Sequence, residues 1–118
     1  MLRIRGPQMR ALSAVMRGRF ESGMVPRLRA KFPAVTERRS DEEILKFVRL
    51  GVQRAAVYGV TIERDVERYI EYMIMYGPQF DADPKHPAIA KVLTAPQLSG
   101  TGKMDRIDDY DQYAHRRS

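Results

Sequence analysis

Asp81-x-Asp83 and His86 put two carboxylates and an imidazole within six residues, a set able to hold a cation or to pair an acid with a base. A self-contained calcium loop needs more oxygens and a distal bidentate Glu, and zinc would need further nitrogen ligands. Asp83 precedes Pro84, where an Asp side chain ordinarily accepts local backbone N–H bonds, so a turn is the expected role. Asp105, Asp108, Asp109 and Asp111 form a second acidic group. Asp105 shares a helical face with Asp108 or Asp109, as paired carboxylates of a hydrolase would. Nothing in their own segment desolvates them, which predicts a solvated face with ordinary acidity, and His115 falls in the same polar tail.

The remaining chemistries have weaker patterns. None of Ser13, Ser22, Ser40, Ser99 and Ser118 lies in a G-x-S-x-G elbow. Gly100-Thr101-Gly102-Lys103 lacks the spacing of a phosphate loop and the strand that precedes one. Ala55-x-x-x-Gly59-Val60 matches the turn of a helix-turn-helix, but the position where a recognition helix needs its next apolar residue is Asp65, with Val66 one place late. That helix also carries Glu63, Asp65, Glu67 and Glu71 against Arg64 and Arg68, the wrong sign for phosphates. We therefore expect no catalytic, cofactor-binding or metal-ligating residue, and a protein that is not an enzyme.

Residues suited to protein contact are more concentrated. Tyr69, Tyr72, Met73, Met75 and Tyr76 crowd two turns, too many for one core face. Tyr69 and Met73 follow the apolar register, whereas Tyr72 and Tyr76, four apart, fall on a flank. A Tyr/Met flank beside arginines has the composition of interfaces. The expected partner-binding set is Arg10, Arg17, Arg27, Tyr72, Met75 and Tyr76, facing a protein with an acidic surface.

The elements that must position these residues read as helices. Pro7 suits a first helical position, and Leu12, Val15, Met16 and Phe20 follow at helical spacing, predicting a helix over 7–21. Gly23 and Pro26 interrupt it; Pro26 can open a short second helix through Leu28 to Phe32, closed by Pro33, with 34–39 a loop. Ser40-Asp41-Glu42-Glu43 is a capping box opening a helix over 41–58. Gly59 suits its left-handed terminus, Thr61 is placed to cap a helix over 62–76, and Gly77-Pro78 stops that one. Phe80 to Pro84 reads as a loop, His86-Pro87 as the start of a two-turn helix limited by Pro96, and Ser99 to Gly102 as a flexible joint. A last helix carries Met104, Ile107 and Tyr110, ending in a polar, frayed tail from Tyr113 to Ser118. No segment alternates as a strand does. The expectation is an all-α, single-domain helical bundle, 1–118, of about five helices around a central hairpin.

The 118 residues carry 21 Lys+Arg against 15 Asp+Glu and no Cys or Trp, which removes disulfides, thiolate metal sites and thiol nucleophiles. No apolar run approaches the roughly 20 residues of a membrane span, and the Arg-rich start is no signal peptide, so we expect a cytoplasmic location without membrane contact. Charge is segregated. Residues 1–39 hold ten basic against two acidic residues, 40–83 five against nine, and 84–118 six against four. The basic first third either pairs with the acidic middle or faces an anionic partner. Nucleic acid is disfavoured, because the one ring within the Arg-rich run, Phe20, lies in the core register.

Tyr58-Gly59-Val60 through Tyr69-Ile70, then Gly77-Pro78-Gln79-Phe80-Asp81 and Lys103-Met104-Asp105-Arg106, resemble small helical bacterial proteins encoded near type VI secretion spike and effector genes. The likeness covers about Met9 to Ile107; those proteins tend to place an aromatic where this chain has Ala88-Ile89. It implies an accessory, adaptor or chaperone-like partner of a secreted effector, and transfers no functional residue.

Overall fold

The computed structural model describes residues 6–117, with side chains from Met16 to His115. Six α-helices are present and no strand among the described residues: α1 (Gly6–Lys31), α2 (Pro33–Thr36), α3 (Asp41–Val57), α4 (Glu63–Tyr76), α5 (Pro87–Leu93) and α6 (Gly100–Arg117), with a 3-10 turn at Phe80–Ala82. Contacts divide the chain into two compact units, residues 1–49 and 50–118, the division falling within α3.

In residues 1–49 the expected break at Gly23 and Pro26 is absent, and α1 is one 26-residue helix containing Pro26. Met24 and Leu28, buried on either side of the proline, explain this. An interior proline costs about 3 kcal/mol, and two fully buried side chains return about 1.5–3 kcal/mol each. Ser22, whose carbonyl loses its helical N–H partner to Pro26, is exposed, so water can serve that carbonyl. The expected loop over 34–39 is also corrected, since Pro33 sits in the first turn of α2, where its missing N–H is harmless. The capping box forms as predicted: the Glu43 N–H donates to Ser40 Oγ at 3.1 Å and the Ser40 N–H to Glu43 Oε1 at 2.8 Å. Arg29 braces the unit, its guanidinium donating to the carbonyls of Thr36 (2.9 Å) and Arg39 (2.7 Å) and to Asp41 Oδ1 (2.7 Å).

In residues 50–118, α5 packs on the 3-10 turn and on α6, and α6 on α4. Tyr69, Phe80, Ile89, Leu93, Met104 and Ile107 are fully buried together with Val60, Ile70 and Met73. Gly59 and Gly77, with φ of +77° and +108°, follow α3 and α4 as expected. Thr61 does not cap α4; Ile62 occupies the cap position with no side-chain bond. The expected joint at Ser99–Gly102 is instead the start of α6, where Ser99 Oγ accepts the Gly102 N–H at 2.9 Å. Gly100 lies directly against the backbone of Gly59 and Val60, and a Cβ there would overlap the Gly59 carbonyl oxygen. Close backbone approach, not flexibility, explains that glycine. The tail expected to fray continues as helix through Arg117.

Candidate functional site

The densest polar constellation is the seam between α4 and α6. Arg68, Tyr72 and Tyr76 recur every four residues on α4, and Asp105, Asp108 and Asp111 every three on α6, so each triad forms one stripe. Arg68 Nη1 donates to Asp105 Oδ1 at 3.0 Å and to Asp108 Oδ2 at 2.5 Å, while its Nη2 donates to Asp65 Oδ1 at 2.6 Å. The Tyr72 hydroxyl donates to Asp108 Oδ1 at 2.5 Å and that of Tyr76 to Asp111 Oδ1. The two rings stack, 5.9 Å between centroids and 8° from parallel. Thr101 Oγ1 donates to Asp65 Oδ2 at 2.5 Å, so the carboxylate of Asp65, 1% exposed, has a partner on each oxygen.

The electrostatics follow from this geometry. Burial works against ionisation of Asp65, but hydrogen bonds from Thr101 and Arg68 outweigh it and hold the carboxyl below its ordinary range. Burial likewise opposes the charge of Arg68, yet its three aspartates bind the guanidinium proton more firmly than usual. Burial, followed by the hydrogen bond each makes to an aspartate, pushes the hydroxyls of Tyr72 and Tyr76 well above the ordinary tyrosine value. These groups are tuned to stay as they are through the physiological range.

A second cluster gathers around Asp81, just beyond the C-terminus of α4. The Tyr58 hydroxyl donates to Asp81 Oδ2 at 2.6 Å, with Arg54 3.7 Å from the same carboxylate. Burial and then Asp81 raise Tyr58 to about 12. The Tyr69 ring meets Phe80 edge-on at 4.9 Å, and its buried hydroxyl has no partner among the described residues. Lys103 Nζ donates to the Tyr58 carbonyl at 2.8 Å.

The residues singled out in the sequence separate accordingly. Asp81, Asp83 and His86 do not converge: Asp81 holds Tyr58, Asp83 Oδ1 accepts the Lys85 N–H at 2.9 Å as a turn residue, and His86 Nδ1 lies 2.7 Å from the Tyr110 hydroxyl. Among the described residues no group of three or more His, Cys, Asp or Glu is placed to hold a metal ion. The expected solvated face of α6 is corrected for Asp108 and Asp111, which are half-buried and serve Arg68, Tyr72 and Tyr76; Asp105 and Asp109 are exposed as expected, Asp105 also accepting a bond from Arg68. Tyr72 is correspondingly not on an open flank, being 5% exposed, and Tyr76 is half-buried, leaving Met75 at 45%. Arg17 and Arg27 are exposed, and the side chain of Arg10 lies outside the described residues.

Sequence reasoning missed Arg68, Asp65 and Thr101. The signal available was the match of a four-residue Arg/Tyr/Tyr spacing on one helix to a three-residue Asp spacing on another. No family model, curated protein or solved structure matches the chain. Among the described residues no helix is long and apolar enough to cross a membrane.

Proposed function

We propose that the chain is a non-catalytic protein–protein interaction module of the bacterial cytoplasm, acting as an adaptor or chaperone-like accessory to a secreted effector and binding an acidic surface through α1. The supporting observation is how charge is distributed. Residues 1–49 hold twelve basic against five acidic residues, and residues 50–118 nine against ten. In the second unit the aspartates of the α4–α6 seam are engaged by Arg68, Tyr72, Tyr76 and Thr101, whereas in the first Arg17 and Arg19 stand exposed on α1. The secretion link rests on the sequence resemblance, and of Tyr72, Met75 and Tyr76, Met75 alone is exposed.

A basic nucleic-acid-associated protein is the second reading, favoured by the five arginines that precede the first acidic residue, Glu21. All six tyrosines lie beyond residue 49, so the basic unit offers no tyrosine platform for bases. Capture of partners on the tagged full chain, with nuclease and at two salt concentrations, separates the readings. A defined protein retained after nuclease and moderate salt is expected; retention abolished by nuclease selects the second reading.

A further inference from the structure

Six rings in residues 50–118 touch in series: Tyr69, Phe80, Tyr72, Tyr76, His86 and Tyr110, each 4.9–6.1 Å from the next between centroids. Packing alone would be served by phenylalanine, as at position 80, yet the last three phenols each meet a base. The Tyr72 hydroxyl donates to Asp108 and that of Tyr76 to Asp111. With His86 Nδ1 unprotonated, the Tyr110 hydroxyl donates to it across 2.7 Å. Tyr69, at the buried end of the series, has no acceptor for its hydroxyl among the described residues.

A phenol gives up an electron readily only when its proton can leave with it, and a base within hydrogen-bond reach is where that proton goes. The series therefore has a direction. Tyr69 has nowhere to release its proton, so a hole on Tyr72 or Tyr76 is turned away from that end. At the other end the acceptor is an imidazole, a stronger base than a carboxylate, so the hole lies lowest on Tyr110 with its proton on His86. Trp and Cys, which would compete for the hole, are absent. We propose that Tyr72, Tyr76, His86 and Tyr110 form a relay for one-electron oxidation, carrying the hole left by a peroxyl radical from the α4–α6 seam to Tyr110. In the first step the radical takes an electron from Tyr76 and, with a proton from water, becomes a hydroperoxide, while the phenolic O–H breaks and its proton binds Asp111. An electron then passes from Tyr110 to Tyr76, the Tyr110 proton moves to His86 Nδ1, and Asp111 returns its proton to Tyr76. A thiolate restores Tyr110 by giving one electron and leaving as a thiyl radical, as the imidazolium returns the proton. The seam is thereby spared a lasting radical. The relay lies wholly within residues 50–118 and is independent of any partner of α1.

The test exploits the lack of cysteine: Met75→Cys, at an exposed position one residue before Tyr76, carries a single ruthenium tris-bipyridyl photo-oxidant on the full chain. The labelled protein is flashed with a cobalt(III) quencher and a nitroso spin trap, and trapped peptides are sequenced. Adducts are expected at Tyr110. They should move to Tyr76 in Tyr110→Phe, and also in His86→Phe, which keeps a ring but has no proton acceptor. Transfer to Tyr110 should slow in heavy water, an effect that a packing role would not produce. Helix content and thermal midpoint check folding; should His86→Phe fail to fold, Tyr110→Phe decides alone. Adducts confined to Tyr72 and Tyr76 in the parent, or led by the more exposed Tyr113 in parent and variants alike, overturn the relay and leave the interaction-module reading untouched.

Discussion

In residues 1–49 arginine is used at the surface and against backbone: Arg29 bridges two carbonyls and Asp41, while Arg17 and Arg19 stand in solvent. In residues 50–118 Arg68 is enclosed by three aspartates, two of which also accept Tyr72 or Thr101 hydroxyls. The same side chain is replaceable at Arg17 or Arg19 and costly to remove at Arg68, because losing this half-buried cation strands the buried Asp65 carboxylate, whereas losing an exposed one strands nothing. Charge in the second unit joins α4 to α6; in the first, Arg17 and Arg19 are exposed.

The contrast is broken most severely at Arg68. Arg68→Met leaves the buried Asp65 without the cation that hydrogen-bonds it, with only the exposed Arg64 at 3.9 Å, and should cost about 3–5 kcal/mol in urea unfolding. The pH dependence has a definite sign. The folded Asp65 carboxyl is held below its ordinary value, so its contribution is complete above the ordinary carboxylate range and is lost as pH falls through the depressed value. Asp65→Asn should accordingly lose stability at neutral pH and show a shallower acid decline than the parent. A parent and variant with parallel acid profiles would show that Asp65 is not the group responsible.

Backbone approach gives the next effect. Gly100→Ala forces a methyl against the Gly59 carbonyl oxygen and should cost about 1–3 kcal/mol, against a few tenths gained if the position were an ordinary exposed helical one. Ser40→Ala removes the side-chain half of the capping box in the first unit, for about 1 kcal/mol. The smallest change is Tyr69→Phe. Its hydroxyl is buried without a partner, so deletion should be neutral or slightly stabilising, within about 0.5 kcal/mol. A loss above about 1 kcal/mol would mean that an ordered water satisfies it.

What the sequence made legible was local. The capping box of α3, the apolar register of α4 and the stops at Gly59 and Gly77 each depend on neighbours within about four residues, and each appears where expected. The structure departs from the local pattern where a distant partner decides. Pro26 reads as a break until Met24 and Leu28 are seen to be buried around it. Glycines at 100 and 102 read as slack, although the first permits contact with a residue some forty positions earlier. Asp108 and Asp111 read as solvated because the hydroxyls that meet them come from 36 and 35 residues away. Tyr72 likewise reads as outward-facing on composition, whereas the carboxylate that holds it inward lies on another helix.

The tyrosine pattern also makes the molecule its own optical probe. With no tryptophan and all six tyrosines after residue 49, ultraviolet absorbance and emission report residues 50–118 almost alone, while residues 1–49 are nearly dark. Phenols bound to carboxylates, as Tyr58, Tyr72 and Tyr76 are, emit weakly and resist ionisation until released. An alkaline absorbance titration therefore times the opening of one unit, and comparing it with helix content followed by circular dichroism would tell whether the optically silent unit opens at the same moment.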